Sequence, residues 1–184
     1  MVGVGGCLPA RLVSNDELAK TVDTSDEWIQ QRTGIKQRYL VEDERTSDLA
    51  VGAARQALKH AGLSADDIDI IVLATTTPND TFPSTASVVQ KDLGAFNAFA
   101  FDIQAVCAGF VYALGVAESL LKTGQGKRAL VIGAESFSKL LDWDDRTTCV
   151  LFGDGAGAVI LEAGTPVDDW GVLSSILHTD GRYR

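Results

Sequence analysis

The chain lacks a basic excess, paired cysteines, long apolar runs and all but two histidines, and each shortage excludes something. Lys and Arg number 16 against 25 Asp and Glu, giving a formal net charge of −9 and a pI near 4.6. Nonspecific nucleic-acid binding needs clustered cations, so no nucleic-acid partner is expected. The 3 cysteines, Cys7, Cys107 and Cys149, are odd in number and too widely spaced for a CxxC pair. They form no disulfide framework, which points to a reducing, cytoplasmic setting. No apolar run approaches the roughly 18 residues of a membrane-crossing helix, and Met1 leads into VGVGG with no basic segment. No membrane partner is expected. Low-complexity tracts and internal repeats are also missing.

What is present is enough apolar sequence for a sizeable core, at 46% of 184 residues, in one large domain or two small ones. The organising stretch is FAFDIQAVCAGFVYALGVAESLLKTG, from Phe99 to Gly124. It opens with a short strand pattern at Phe99-Ala100-Phe101-Asp102-Ile103. It continues as a helix pattern through Phe110, Ala113, Leu114, Ala117, Leu120 and Leu121, and Gly124 marks the stop. Small residues at Ala105, Ala108 and Gly109 allow a sharp turn between the two. Cys107 is therefore expected at or just before a helix N-terminus, where free N–H groups and the helix dipole favour a thiolate nucleophile. The residues alone also permit an inert cysteine packed as a small hydrophobe.

Elsewhere the pattern alternates. Val2 to Gly6 reads as a strand; its glycines do not open into a helix, because Pro9 intervenes, so a dinucleotide loop is set aside. Ser14 with Glu17 predicts a short helix through Lys20, and Thr24 with Glu27 a second that carries Trp28 and Arg32 on one face. That pair is either a surface cation–π contact or a stacking and phosphate-binding site. Thr46-Ser47-Asp48 is expected to cap a helix ending near Gly62, with His60 as a favourable cation in its last turn. Ile68 to Ala74 reads as a buried strand. Pro83 suits the first position of a helix that ends at Leu93, and Phe82 precedes it in a polar loop. Further strands are expected at Arg128 to Ala134, Ala158 to Leu161 and Gly171 to His178. Between them Phe152 to Gly157 is Gly-rich but lacks the GK[ST] of a phosphate loop. Arg146, in the acidic DWDDR segment, would ordinarily pair with Asp142, Asp144 or Asp145.

FDIQA followed by VCAGFVYAL resembles the active-site segment of β-ketoacyl-acyl-carrier-protein synthase III, of the thiolase superfamily. DTSDEWIQQRTGI, ATTTPNDTFPSTA, DWDDRTTCVLFGDGAGAVIL and LHTDG resemble further segments of that family, in the same order. The resemblance implies an α/β fold, one βαβαβαββ half of a five-layered αβαβα architecture. Cys107 would take an acyl group, acetyl most often, from acyl-CoA. Decarboxylative condensation with malonyl-acyl-carrier protein would follow. Trp28, Arg32 and Arg146 would bind coenzyme A, and Phe82 would lie at a homodimer interface, reaching toward the partner's acyl pocket. No cofactor or metal is implied, since acyl-CoA is a substrate. The family's catalytic His and Asn come from a second half and match nothing here: His60 falls in a helix end and His178 in a non-catalytic position. Residues 1–184 are thus expected to be the N-terminal half of a longer enzyme, inactive alone, with a trimmed start and no terminal helix pattern before Tyr183-Arg184. Open alternatives are a same-fold acyltransferase, a polyketide- or quinolone-type synthase, and a non-catalytic fragment that binds a partner subunit.

Overall fold

The computed structural model describes residues 1–164 and 171–182; Tyr183 and Arg184 lie outside the described residues. In chain order the elements are β1 (Gly3–Cys7), β2 (Arg11–Ser14), α1 (Asn15–Leu18), α2 (Asp26–Thr33), β3 (Gln37–Leu40) and α3 (Thr46–Ala61). They continue with β4 (Ile70–Ala74), α4 (Thr85–Leu93), β5 (Phe99–Ile103), α5 (Gly109–Lys122), β6 (Arg128–Glu135) and β7 (Gly155–Glu162). One sheet holds five strands in the order β1-β7-β6-β4-β5. β4 runs parallel to β5 and β6, and β7 runs antiparallel to β6 and β1. The expected βαβαβαββ succession is therefore β1, α3, β4, α4, β5, α5, β6, β7.

Strand β4 shows why the sheet is covered on both faces. All five of its residues are buried, which explains an apolar run with no polar alternation. Ile71 and Leu73 pack under α3 and α4 with Leu130, Ile132 and Ile160. Ile70, Val72 and Ala74 pack on the other face with Ala113, Ala117 and Leu121 of α5. The result is three layers, helix on sheet on helix.

Glycines in β1 set the spacing to α3. A Cβ at Gly3 would stand 2.5 Å from the carbonyl oxygen of Ala57, and one at Gly5 would collide with backbone atoms of Ala53 and Ala57. The GVGG run thus serves close helix–strand packing. Alanines 50, 53, 54 and 57, all fully buried, complete that contact from the helix side.

Several local expectations are corrected. The N-cap of α2 is Ser25, whose Oγ accepts from the Trp28 N–H at 3.1 Å; Thr24 lies one residue too early. Arg45, not Thr46, precedes α3, and the Asp48 carboxylate accepts the Arg45 N–H at 2.8 Å. Thr46 and Ser47 are drawn away to tie α3 to the loop after β4: Thr46 Oγ1 donates to Thr77 O at 2.6 Å, and Asn79 Nδ2 donates to Ser47 Oγ at 2.6 Å. His60 lies in the last turn of α3, but its side chain serves the neighbouring strand: Nδ1 accepts the Val4 N–H at 3.1 Å, which ties the helix end to β1. Pro83 lies before the N-cap Ser84 and outside α4. Strand β7 begins at Gly155, so the end of the Gly-rich segment, from Gly155 to Gly157, is part of the sheet, paired to β1 and β6. Residues 171–178 form no strand: they run without regular structure along α5, where the Tyr112 hydroxyl donates to His178 O at 3.1 Å. The β2–β3 antiparallel pair carries no signal strong enough to be read in advance.

Candidate active site

Cys107 lies where β5 gives way to α5. A 3-10 turn, Val106–Ala108, links them, and Val106 holds φ at +50°. A β-branched residue in that region is strained and persists only where the surroundings hold it. Two contacts hold this turn from the β4 side. Thr75 N–H donates to Ile103 O at 3.1 Å, and Gly109 packs so closely on Ala74 that an added Cβ would come within 3.2 Å. No side chain caps the N-terminus of α5; the 3-10 turn runs directly into the helix, and the Gly109 N–H is taken by Val106 O and the Ala108 N–H by Ala105 O. The Cys107 side chain is exposed.

The other two thiols differ. Cys149 is fully buried, and burial, with Asp145 nearby, pushes its pKa up. Cys7 is half-buried beside Gly52, and burial followed by the charge of Glu44 raises it too.

A second cluster forms around Trp28, a half-buried residue of α2. The Arg32 guanidinium carbon lies 4.3 Å from the indole centroid and that of Arg146 lies 4.6 Å from it. The fold thus joins residues far apart in sequence into two cations on one indole, a set suited to phosphate and a flat aromatic ring. Arg146 does not pair with its neighbouring aspartates. Its Nη1 meets Asp23 Oδ2 at 3.1 Å, and its Nε is buried without a partner. Asp145 is occupied with its own turn, where the Thr147 and Thr148 hydroxyls and the Thr147 N–H hold its carboxyl below the usual range. Trp28 packs against a small apolar cluster that includes Ile29, Leu40, Cys149 and Val150, and Arg38 Nη2 donates to Val150 O at 3.3 Å. Burial lowers the pKa of Arg38, whose Nη2 donates to Asn15 Oδ1 at 2.9 Å.

Phe82 stands apart, 82% exposed on the loop between β4 and α4. Asp102, in the strand that leads to Cys107, anchors that loop: its two oxygens accept the Thr85 and Ala86 N–H groups, each at 2.7 Å. Asp154, buried, accepts from Val41 N–H and Ser138 N–H, both at 2.8 Å, and so fastens β3 to the segment after β6. Neither carboxylate was singled out from sequence. The available signal was a lone acidic residue in an otherwise apolar strand or glycine-rich segment, which needs donors around it.

The chain is similar to known proteins. A family model described as 3-Oxoacyl-[acyl-carrier-protein (ACP)] synthase III matches residues 101–181. The chain is 58% identical over 184 residues to the beta-ketoacyl-[acyl-carrier-protein] synthase III of Ehrlichia canis, covering 100% of this chain and 57% of that protein. The protein of the same name from Erythrobacter litoralis is 62% identical over 181 residues, covering 97% of this chain and 56% of the relative. The crystal structure of 3-oxoacyl-[acyl-carrier-protein] synthase III from Aquifex aeolicus superposes with a TM-score of 0.87 at 52% identity, over 90% of this chain and 54% of that one. The fold is thiolase-like, as the sequence implied. The chain resembles the N-terminal half of β-ketoacyl-acyl-carrier-protein synthase III, and it spans somewhat more than half the length of the curated relatives it matches.

Proposed function

We propose that this chain, similar throughout to the N-terminal half of β-ketoacyl-acyl-carrier-protein synthase III, supplies the acyl-accepting half of such an enzyme. The observation that carries the reading is the exposed Cys107 on a strained strand-to-helix turn before an uncapped helix. Its thiolate attacks the thioester carbonyl of acyl-CoA, backbone N–H groups near Cys107 stabilise the oxyanion, and coenzyme A thiolate leaves. Malonyl-acyl-carrier protein then loses CO2. Its enolate carbon bonds to the acyl carbon and displaces the Cys107 thiolate, and a 3-oxoacyl-carrier protein is released.

Trp28, Arg32 and Arg146 receive the nucleotide end of coenzyme A in this proposal. Removing a charge-assisted phosphate contact costs on the order of 1.5–3 kcal/mol. Calorimetry on Arg32→Ala and Arg146→Ala is expected to show acyl-CoA binding weakened at least about tenfold in each, and unchanged affinity in both refutes the site.

The decarboxylation builds negative charge on an enolate and needs donors aimed at it. We assign these to the His and Asn of a second half, beyond residues 1–184. The open side of α5, where Val111 is half-exposed, suits a covering half. β5 pairs on one side only among the described residues, and Phe99 and Phe82 are exposed near that edge and on the α4 loop, which supports a homodimer. Free, widely spaced thiols fit a cytoplasmic location. The test expresses residues 1–184 beside the longer reading frame and assays condensation with malonyl-acyl-carrier protein, with sedimentation to read the assembly. The longer protein is expected to turn over as a dimer and residues 1–184 to show no condensation. Equal turnover by the shorter chain sinks the two-half reading.

A further inference from the structure

Glu135 ends β6 beside the end of β4, and its carboxylate is surrounded by one short run of threonines. Oε1 accepts the Thr76 N–H at 2.8 Å and the Thr76 hydroxyl at 3.0 Å. Oε2 accepts the Thr77 hydroxyl and, at 3.4 Å, the Thr75 hydroxyl. The network extends outward: Thr77 Oγ1 accepts the Ser136 N–H at 2.9 Å, and Thr46 Oγ1 lies 2.7 Å from Ser136 Oγ. Among the described residues no cation pairs with Glu135, and the carboxylate is held by hydroxyls and a backbone N–H. Four donors on one side chain make a rigid arrangement, because all come from three adjacent residues.

The threonine loop faces two functional elements. Its first residue, Thr75, is bonded to Ile103 at the start of the Cys107 turn, and its far end leads to Phe82. In open α/β sheets ligands gather beyond the carboxyl ends of the strands, and β4, β5 and β6 all end here.

We propose that Glu135 is a positioning residue that fixes the Thr75–Thr77 loop as a wall of the acyl site, and so sets which acyl groups Cys107 accepts. The inference rests on the reading of Cys107 as acyl acceptor. Glu135 itself touches neither substrate nor thiol; it acts through the loop.

The experiment measures Cys107 acylation by acetyl-CoA and hexanoyl-CoA, by mass spectrometry of timed samples, in the full-length protein and in Glu135→Ala and Glu135→Gln. A wall misplaced by about 1 Å can cost on the order of 100-fold, so Glu135→Ala is expected to acylate about 10–100-fold more slowly from acetyl-CoA. Its hexanoyl-to-acetyl rate ratio rises about tenfold, as a loosened wall admits the longer chain. Coenzyme A affinity stays within about twofold, because Trp28, Arg32 and Arg146 are untouched. Glu135→Gln keeps an oxygen for the Thr76 donors and is expected to recover to within about threefold of the unsubstituted protein. Glu135→Ala with the original rate and ratio overturns the proposal. So does Glu135→Gln as defective as Glu135→Ala, since that result makes the charge itself the requirement. If Glu135→Ala fails to fold, Thr76→Val, which removes one donor, replaces it: a raised ratio supports the wall, and an unchanged ratio overturns it. An unsubstituted protein that takes no acyl group at Cys107 overturns the acyl-transfer reading, and this inference with it.

Discussion

Cys107→Ala is expected to abolish acyl transfer, and the acyl adduct formed with acetyl-CoA is expected on Cys107 and on neither other cysteine. Thiolate is the attacking species, so a raised pKa disfavours reaction at neutral pH. Burial raises both Cys7 and Cys149, and Cys149 is also closed to solvent. Cys107 alone among the three is exposed. Removing a nucleophile that works within a concerted set of groups lowers turnover by at least about three orders of magnitude. Peptide mass spectrometry of the full-length protein after acetyl-CoA treatment locates the adduct, and steady-state turnover gives the loss. Labelling of Cys7 and Cys149 by a small alkylating agent should rise only at pH values above the ordinary thiol range, because their thiolates form later. An adduct that survives Cys107→Ala refutes the assignment.

Gly5→Ala is expected to destabilise the fold by about 3 kcal/mol, near the upper end of the usual overpacking cost. The methyl group would meet backbone on both approaches, the carbonyl of Ala53 and the amide of Ala57, and neither can rotate away. Relief requires β1 and α3 to separate, which opens the packing of Ala53 and Ala57 against the sheet. Gly157→Ala is the matched control: it lies in β7, a strand that pairs with β1, and a Cβ there meets nothing within 4 Å. It should fall within about 0.5 kcal/mol of the unsubstituted protein. Urea unfolding of the three proteins reads the difference directly. If both alanines cost the same, close packing is not the reason for the glycine.

The amino-acid sequence alone determined the alternation of elements, the strand-to-helix setting of Cys107 and the stops at Gly62 and Gly94, both of which adopt the left-handed conformation that ends a helix. These features follow from local chemistry: apolar periodicity, small residues at a turn, and a backbone angle that glycine tolerates. Tertiary structure decided what local chemistry leaves open, namely which group each polar side chain meets. Arg146 could pair with three aspartates beside it, yet it reaches Asp23 and Trp28 because the chain brings α2 against residue 146. Thr46 and Ser47 could cap their own helix, yet donors and acceptors on the β4 loop take them. His60 could serve the helix dipole, yet β1 supplies an N–H that needs an acceptor. A buried or half-buried polar group must be satisfied, and where several partners are possible the one the fold places within hydrogen-bonding distance prevails. Glu135 and Asp102 escaped the sequence reading for the same reason, because nothing local to either names the threonines or the helix end that each one holds.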